Sequence, residues 1–492
     1  MKKFISLFLL TALLLQLTAC GSAGTSQTTS DDSSSTDETT TKETDYIDTL
    51  TEKTFDGETL QVIVQHQSSH PNVPPEEQNG ERVDDALYNR DKTVEDKLGI
   101  TIEYTVYEDR GKLITDLKNA ISAGESAYDV VITSMAAGLN TLAPEGYLID
   151  LESMPSLSLD AAWWSNSCHN NLSFYGKQYI TSGPISLDYY YAPCVIAFNQ
   201  RLIDEHQIAN PYDTVIDGKW TIDKFGEITK GVSQDLNGDG KMDKDDLYAF
   251  ACDELTGQAF YIGCGGTQTE TGDNGDPVLT MNTARNTDIL DRIISVVNKK
   301  DERLLTEGLT MEGSDIPAFN KTYHFKNGQA MLLGYNMSGI ITYLRDMKDD
   351  YGIIPMPKYD ENQSEYLTYG SPWGPCGVAV PVTVSNERSG MVGTAMEMMA
   401  YLSYTTVGTE MYDVTLKEKV SRDEKSKEML DIIYRDIIFD LNGIHNFGNT
   451  GNTLRSCAIG AKENFASSYA SALKKAETDL EKLLDQYRSI TE

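Results

Sequence analysis

The sequence predicts an α/β protein built around mostly parallel sheets. Two observations carry this: strand-like and helix-like segments alternate from Leu60 to Pro144, and the chain is long enough for more than one domain. Leu60-Gln-Val-Ile-Val-Gln65 is an apolar, β-branched run and reads as a strand. Glu81 to Lys97 spaces its apolar residues at helical intervals, and Gly99-Ile-Thr-Ile-Glu-Tyr104 returns to strand character. Gly111 to Ala123 is helical again, Tyr128-Asp-Val-Val-Ile-Thr133 is a third strand, and Met135 to Pro144 is a short helix. Repeated strand–helix–strand units give a parallel sheet with helices on both faces, which binds ligands at the carboxyl ends of its strands. Those ends lead here into His66-Gln67-Ser68, Tyr107-Glu108 and Ser134-Met135.

Before these units the chain has a different character. Lys2 and Lys3 precede an apolar run from Phe4 to Leu15, shorter than the roughly 20 residues that a membrane-spanning helix needs. Residues 1–19 therefore read as a removable export signal. Leu17-Thr-Ala-Cys20 resembles the lipobox of bacterial lipoproteins, which implies a lipid on the Cys20 thiol; an ordinary signal with a chance cysteine is the alternative. From Gly21 to about Thr54 large apolar residues are nearly absent, so residues 20–54 are expected to form a disordered tether. The expected location is the extracellular face of the cell membrane.

The body after the tether has about 440 residues, enough for two or three domains. Its parent chain carries 41 Lys+Arg against 75 Asp+Glu, a net charge of −34, which excludes nucleic acid as a partner because that affinity rests on neutralising phosphates. The same charge disfavours lying on anionic lipid, so an acyl chain would do the anchoring. Six cysteines follow Cys20 with no CxxC pair; they are either disulfide partners, with Cys252 and Cys264 the nearest in sequence, or small buried apolar groups. Six histidines without a ligand-like pair argue against a transition-metal site.

After Asp150 the chain becomes aromatic and irregular: Trp163-Trp164, Phe174-Tyr175 and Asp188-Tyr-Tyr-Tyr191. Val195-Ile-Ala-Phe-Asn-Gln-Arg-Leu, Asn210-Pro-Tyr and Gly218-Lys-Trp220-Thr-Ile-Asp-Lys-Phe225 follow. With Phe325-Lys-Asn-Gly-Gln-Ala-Met331, Gly352-Ile-Ile-Pro-Met-Pro-Lys358 and Tyr469-Ala-Ser-Ala-Leu-Lys-Lys, the series resembles the extracellular solute-binding proteins of bacterial ABC importers, in the sugar and oligosaccharide group. Each piece is weakly specific; their order behind a lipobox carries the likeness. The resemblance implies a two-lobe, type II periplasmic-binding-protein-like α/β fold with a hinge and an interlobe cleft, and crossings near Pro184 to Ala192 and Gly374 to Val380. It divides the chain into an amino-terminal lobe at 55–187, a second lobe at 188–375, a return to the first lobe at 376–425, and carboxy-terminal helices at 426–492 mainly on the second lobe. It also implies a monomer that captures a sugar or oligosaccharide and delivers it to separate permease subunits.

Asp235-Leu-Asn237-Gly-Asp239-Gly240-Lys241-Met242-Asp243-Lys-Asp245-Asp246 carries chemistry of its own. It sets Asp235, Asn237, Asp239, Asp243 and Asp246 at positions 1, 3, 5, 9 and 12 of a calcium loop, with Gly240 at 6 and the Lys241 carbonyl at 7. A structural Ca²⁺ is expected there, with Met242 turned inward; Asp rather than Glu at the last position weakens the bidentate contact, and an acidic surface turn is the plain alternative.

Sugars offer C–H faces to aromatic rings and hydroxyls to polar groups. Candidates on strand ends and crossings are Trp163, Trp164, Asp188, Tyr189, Tyr190, Tyr335, Asn336 and Trp373, while Trp220 is expected in the core. Trp373 stands out because Gly370-Ser-Pro-Trp-Gly-Pro-Cys-Gly377 places it in a Gly/Pro-rich turn entering a crossing strand. Catalytic motifs are lacking: there is no GxSxG or Walker loop, and Gly263-Cys-Gly265-Gly266 is not a dinucleotide fingerprint. A non-enzymatic binding protein is therefore expected. A ligand-sensing or adhesive surface lipoprotein, and a secreted carbohydrate-active enzyme, are the competing readings.

Overall fold

A computed structural model describes residues 46–51, 53–67, 72–243, 245–299, 302–305, 322–417, 424–460 and 464–491. The expected leader, Cys20 and most of the tether lie outside them, as do Ser68 and Lys244. Within the stretch read as tether, Tyr46–Leu50 (α1) is helical and buries Ile47. Its Tyr46, Ile47 and Leu50 give even this short segment an apolar side to dock.

Two five-stranded sheets organise the body. Their strands, with two pieces of a crossing ladder, are in chain order β1 (Thr59–Gln65), β2 (Thr101–Tyr107), β3 (Val130–Thr133), β4 (Thr181–Ser182), β5 (Cys194–Asn199), β6 (Tyr248–Cys252), β7 (Arg303–Leu305), β8 (Ala330–Asn336), β9 (Tyr351–Ile354), β10 (Thr368–Tyr369), β11 (Gly377–Ala379) and β12 (Ile437–Ile438). The first sheet runs β2-β1-β3-β11-β4 and the second β7-β6-β8-β5-β9. Pairing is parallel among β1, β2 and β3 and among β6, β7 and β8. The remaining strands, β11 and β4 in one sheet and β5 and β9 in the other, pair antiparallel.

Strand alternation builds a core on each face of each sheet. In the first lobe Ile63 and Val131 face one cluster, while Leu60, Val62, Val64, Val130 and Ile132 face the other. In the second, Ile196, Phe198 and Leu332 separate from Val195, Ala197 and Leu333 in the same way. The helices used below are α2 (Arg82–Leu98), α3 (Arg110–Ser122), α4 (Asn166–Leu172), α5 (Asp188–Tyr191), α6 (Glu254–Gly263), α7 (Asn386–Leu402), α8 (Gly408–Lys417), α9 (Glu424–Arg435), α10 (Leu441–His445), α11 (Thr450–Ala458) and α12 (Phe465–Thr491). α2 ends where Gly99 takes a left-handed φ of 67° and its N–H caps the Glu95 carbonyl, which lets the chain turn straight into β2. The segment read as one helix from Met135 opens as a π-turn, Met135–Leu139, with Ala137 outside helical geometry.

The carboxy-terminal division at 426 needs correction. Phe465 and Tyr469 of α12 join the second lobe's core, whereas Ala476, Leu480, Leu483, Leu484 and Tyr487 pack into the first lobe's with Leu441 and Ile444 of α10. At 27 residues α12 is roughly 40 Å long, enough to touch both cores. All six described cysteines are buried free thiols, Cys252 and Cys264 included, so the disulfide alternative falls among them. Trp220 is core, as expected, with its indole N–H on the Pro355 carbonyl at 2.9 Å.

Candidate functional site

The carboxyl ends of β1 and β3 meet the second crossing, Gly370 to Cys376, through a ladder of short side chains. Gln65 Oε1 accepts from Thr133 Oγ1 at 2.8 Å and from the Ser134 N–H at 3.2 Å. The Pro372 carbonyl accepts from Ser134 Oγ at 2.9 Å and the Ala136 N–H at 3.1 Å. Ser186 Oγ and Ser182 Oγ donate to the carbonyls of Pro375 and Cys376, each at 2.8 Å. The Ser371 N–H reaches the Ala192 carbonyl at 2.9 Å, tying this crossing to the first. A turn rich in Gly and Pro offers few N–H donors of its own, so its carbonyls are met by neighbouring serines.

From that fixed turn Trp373 projects, 42% exposed, and the Arg455 guanidinium of α11 stands 5.9 Å from its ring centre. Trp373 rides on a crossing and Arg455 packs with the second lobe, so the pair spans the junction. Around them lie buried polar groups without a protein partner: both amide atoms of Gln258 on α6, the Tyr369 hydroxyl, Thr368 Oγ1 and Arg455 Nε. A Cβ at Gly443 would stand 2.7 Å from Gln258 Nε2 and 3.4 Å from the Tyr369 oxygen, so these groups converge where only glycine fits. Unmet hydrogen-bond capacity costs about 1–3 kcal/mol per group, so the cluster calls for ordered water or another polar partner. Asp440, which caps α10 through the Gly443 N–H at 2.7 Å, lies beside it, and burial pushes its carboxyl up to about 6.

A second space, of about 1040 Å³, opens between α4 of the first lobe, α8 and α9, and the segment 262–269 after α6. Its walls include Tyr189, Tyr190, Tyr404, Tyr412 and Tyr434, and none of them comes from the described loops that follow β1, β2 or β3.

The structure distributes the predicted ligand residues widely. Trp163 and Trp164 donate their indole N–H groups to opposite oxygens of Glu397, at 2.9 and 2.8 Å, although Trp164 also borders the large cavity. Asp188 is 3% exposed, accepts from Asn72 Nδ2 at 2.7 Å and lies beneath Gly374, next to Trp373. Asp188 to Tyr191, read as a crossing strand, is one turn of helix closed by the Ala192 N–H on the Asp188 carbonyl. Tyr189 and Tyr190 border the cavity rather than the Trp373 junction. Tyr335 folds over Gly339, where any Cβ would collide with its ring, and Asn336 caps the helix starting at Met337 through the Gly339 N–H at 3.0 Å. Trp373 and Asp188 thus sit together at the junction, while Trp164, Tyr189 and Tyr190 share the walls of the cavity. Arg455, Gln258 and Tyr369 escaped the sequence reading; an arginine and a glutamine set among apolar residues on α11 and α6 were the available signal.

In the acidic loop, Asp235 accepts from the Gly238 and Gly240 N–H groups at 2.6 and 2.8 Å, which, the Gly240 contact first, hold its carboxyl below the usual range. Asp246, fully buried, accepts from Leu236 and Asp243 N–H at 2.9 and 2.7 Å, while Asn237, Asp239 and Asp243 each accept from a backbone N–H two residues on. Met242 packs inward against the second lobe's core. The ring of Asx turns suits a cation loop, but among the described residues no three His, Cys, Asp or Glu side chains gather closely enough to ligate an ion. Lys241 is exposed.

No protein-family model matches the chain, and no curated protein sequence matches it. Solved structures do. UgpB from Mycobacterium tuberculosis in complex with glycerophosphocholine is similar with a TM-score of 0.53 and 14% identity, over 87% of this chain and 99% of that one. An ABC substrate-binding protein from Listeria monocytogenes in complex with cycloalternan gives 0.51 and 14%, over 87% and 100%. An ABC transporter solute-binding protein from Thermotoga lettingae bound with α-D-tagatose gives 0.51 and 13%, over 86% and 100%. On this likeness the chain has the two-lobe α/β fold of ABC solute-binding proteins, the fold that the sequence resemblance implied.

Proposed function

We propose that this protein is the solute-binding component of an ABC importer, and that it captures a sugar or oligosaccharide between its lobes without turning it over. The observation that carries the reading is Trp373: a half-exposed indole on a turn held by hydrogen bonds to its Pro372, Pro375 and Cys376 carbonyls, opposed by an arginine from the other lobe. The indole offers a face for sugar C–H groups, while Arg455, Gln258 and Tyr369 offer the hydroxyl partners. The solved structures similar in fold, with a sugar in two of the complexes described, support the same class of cargo. Buried thiols lend no nucleophile, since burial pushes Cys168 up to about 12 and Cys376 well above its ordinary value.

Within this proposal the crossings act as the hinge, closure buries the solute, and a separate membrane permease receives it. Cys20 carries the lipid that holds the protein at the outer face of the cell membrane, and the protein works as a monomer. The 235–246 loop binds Ca²⁺ as a structural staple, with Asp235, Asn237, Asp239, Asp243, Asp246 and the Lys241 carbonyl as ligands. Thermal shift of the body from Tyr46 onward against mono- and oligosaccharides tests the reading. A cargo at a hundred times its Kd should add about 2.7 kcal/mol. A stabilising sugar recovered unchanged supports it; product formation, or no shift with any sugar, counts against it.

A further inference from the structure

The aromatic cavity is a second interlobe feature: it meets the ground of the Trp373 junction at Asp440, but Trp373, Arg455, Gln258 and Tyr369 do not line it. Tyr189, Tyr190, Tyr434 and Tyr412 form a continuous run of rings, with successive centroids 5.8, 5.5 and 5.3 Å apart. Tyr190 and Tyr434 are locked, because the Tyr434 hydroxyl donates to the Tyr190 carbonyl at 2.8 Å. By contrast the hydroxyls of Tyr189, Tyr404 and Tyr412 have no protein hydrogen-bond partner among the described residues, and Tyr404 is 47% exposed at the rim. Burial, reinforced by Cys168 at Tyr189 and by Asp431 at Tyr412, raises both hydroxyls, so both stay protonated and can donate as well as accept.

The charged walls do not suit an anion. Asp413 is held by Arg82 at 2.8 Å and Arg435 by Glu365 at 3.2 Å, and of the remaining wall charges Lys427 stands among Asp431, Asp436 and Asp440. Edge-to-face and tilted rings, neutral hydroxyls and carboxylate acceptors in the wall suit a polyhydroxylated ligand without negative charge. We propose that this cavity is a second saccharide site, separate from the Trp373 junction. It rests on the binding-protein reading only for the class of ligand. Because its walls come from both lobes, any change of interlobe angle reshapes it, so its occupant is coupled to the state of the other site.

Calorimetric titration of the body from Tyr46 onward with maltotriose, mannotriose and raffinose tests this. The expected result is two binding events for at least one probe. Tyr404→Ala should weaken one event at least tenfold and leave the other, and Tyr412→Phe, which removes only a hydroxyl, should weaken the same one. Trp373→Ala should do the converse. One event per molecule, abolished by Trp373→Ala and indifferent to both tyrosine variants, overturns the second site alone. No binding of any probe overturns both readings.

Discussion

Trp163 and Trp164 differ from Trp373 in what their surroundings leave free. The adjacent pair spends its polar edges on Glu397, a fully buried carboxylate that also accepts from the Tyr46 hydroxyl at 2.8 Å and the Ser158 N–H at 3.2 Å. Tyr46, Trp163 and Tyr401 pack ring against ring around it, so this constellation fastens α1 and the loop before α4 onto α7. Trp373 makes no such closure. Its backbone is immobilised while its indole remains half open, the arrangement of a contact surface rather than a fastener. A tryptophan therefore declares its role through the fate of its N–H and of its backbone, neither of which composition reveals.

The strongest test of that contrast is Glu397→Ala. It leaves two indole N–H groups and the Ser158 N–H without an acceptor, and the Tyr46 hydroxyl with only Ser158 Oγ at 3.3 Å, and should cost about 3–5 kcal/mol in denaturant unfolding, because each buried orphan costs about 1–3. A loss below 1 kcal/mol would make the pair resemble Trp373 after all.

Asp440 probes the other side of the comparison, the polar ground beneath Trp373. Its carboxyl is raised to about 6 by burial, with backbone N–H groups opposing. The folded state thus holds its proton more tightly than the unfolded chain, whose value is about 3.9. Stability is lost as pH rises from about 4 to about 6, by about 3 kcal/mol in all. Asp440→Asn, which keeps a good cap, should be more stable than the parent at pH 7 and equal to it at pH 4. His445, pushed down to about 4 by burial, acts in the opposite sense, its share being lost as pH falls from about 6.5, but it is common to both proteins. A difference that does not vary between pH 4 and 7 would remove Asp440 from this account.

Trp373→Ala should weaken saccharide binding about tenfold or more, about 1.4 kcal/mol, while changing unfolding by less than 1 kcal/mol. Unchanged affinity would strip the junction of its role. The smallest effect belongs to the acidic loop: Asp235→Ala should lower the melting temperature slightly in calcium, and by less in chelator. Equal losses in both would count against calcium.

Much of the fold was legible because it is written in local patterns. The β-branched runs around Val62, Ile102 and Val131 specify strands, and the apolar spacing of Arg82–Leu98 specifies a helix that Gly99 ends. Trp373 was legible for a related reason: a Gly/Pro-rich turn must hold its residue at the surface. Where α12 docks was not, because one amphipathic helix fits either lobe and only assembly divides its stripe. Nor were the fates of Trp163 and Trp164, which hang on a carboxylate more than two hundred residues away.

By itself, then, the sequence determined an α/β body, its first three strands, an acidic loop with calcium spacing and one tryptophan committed to a turn. The tertiary structure alone decided which polar groups meet. Arg455, Gln258 and Tyr369 lie on separate elements and converge only when α6, α10 and α11 pack beside the second crossing, and the tyrosine cavity exists only where two lobes leave a gap. Periodicity is a property of neighbours in the chain, whereas a binding surface is a property of neighbours in space.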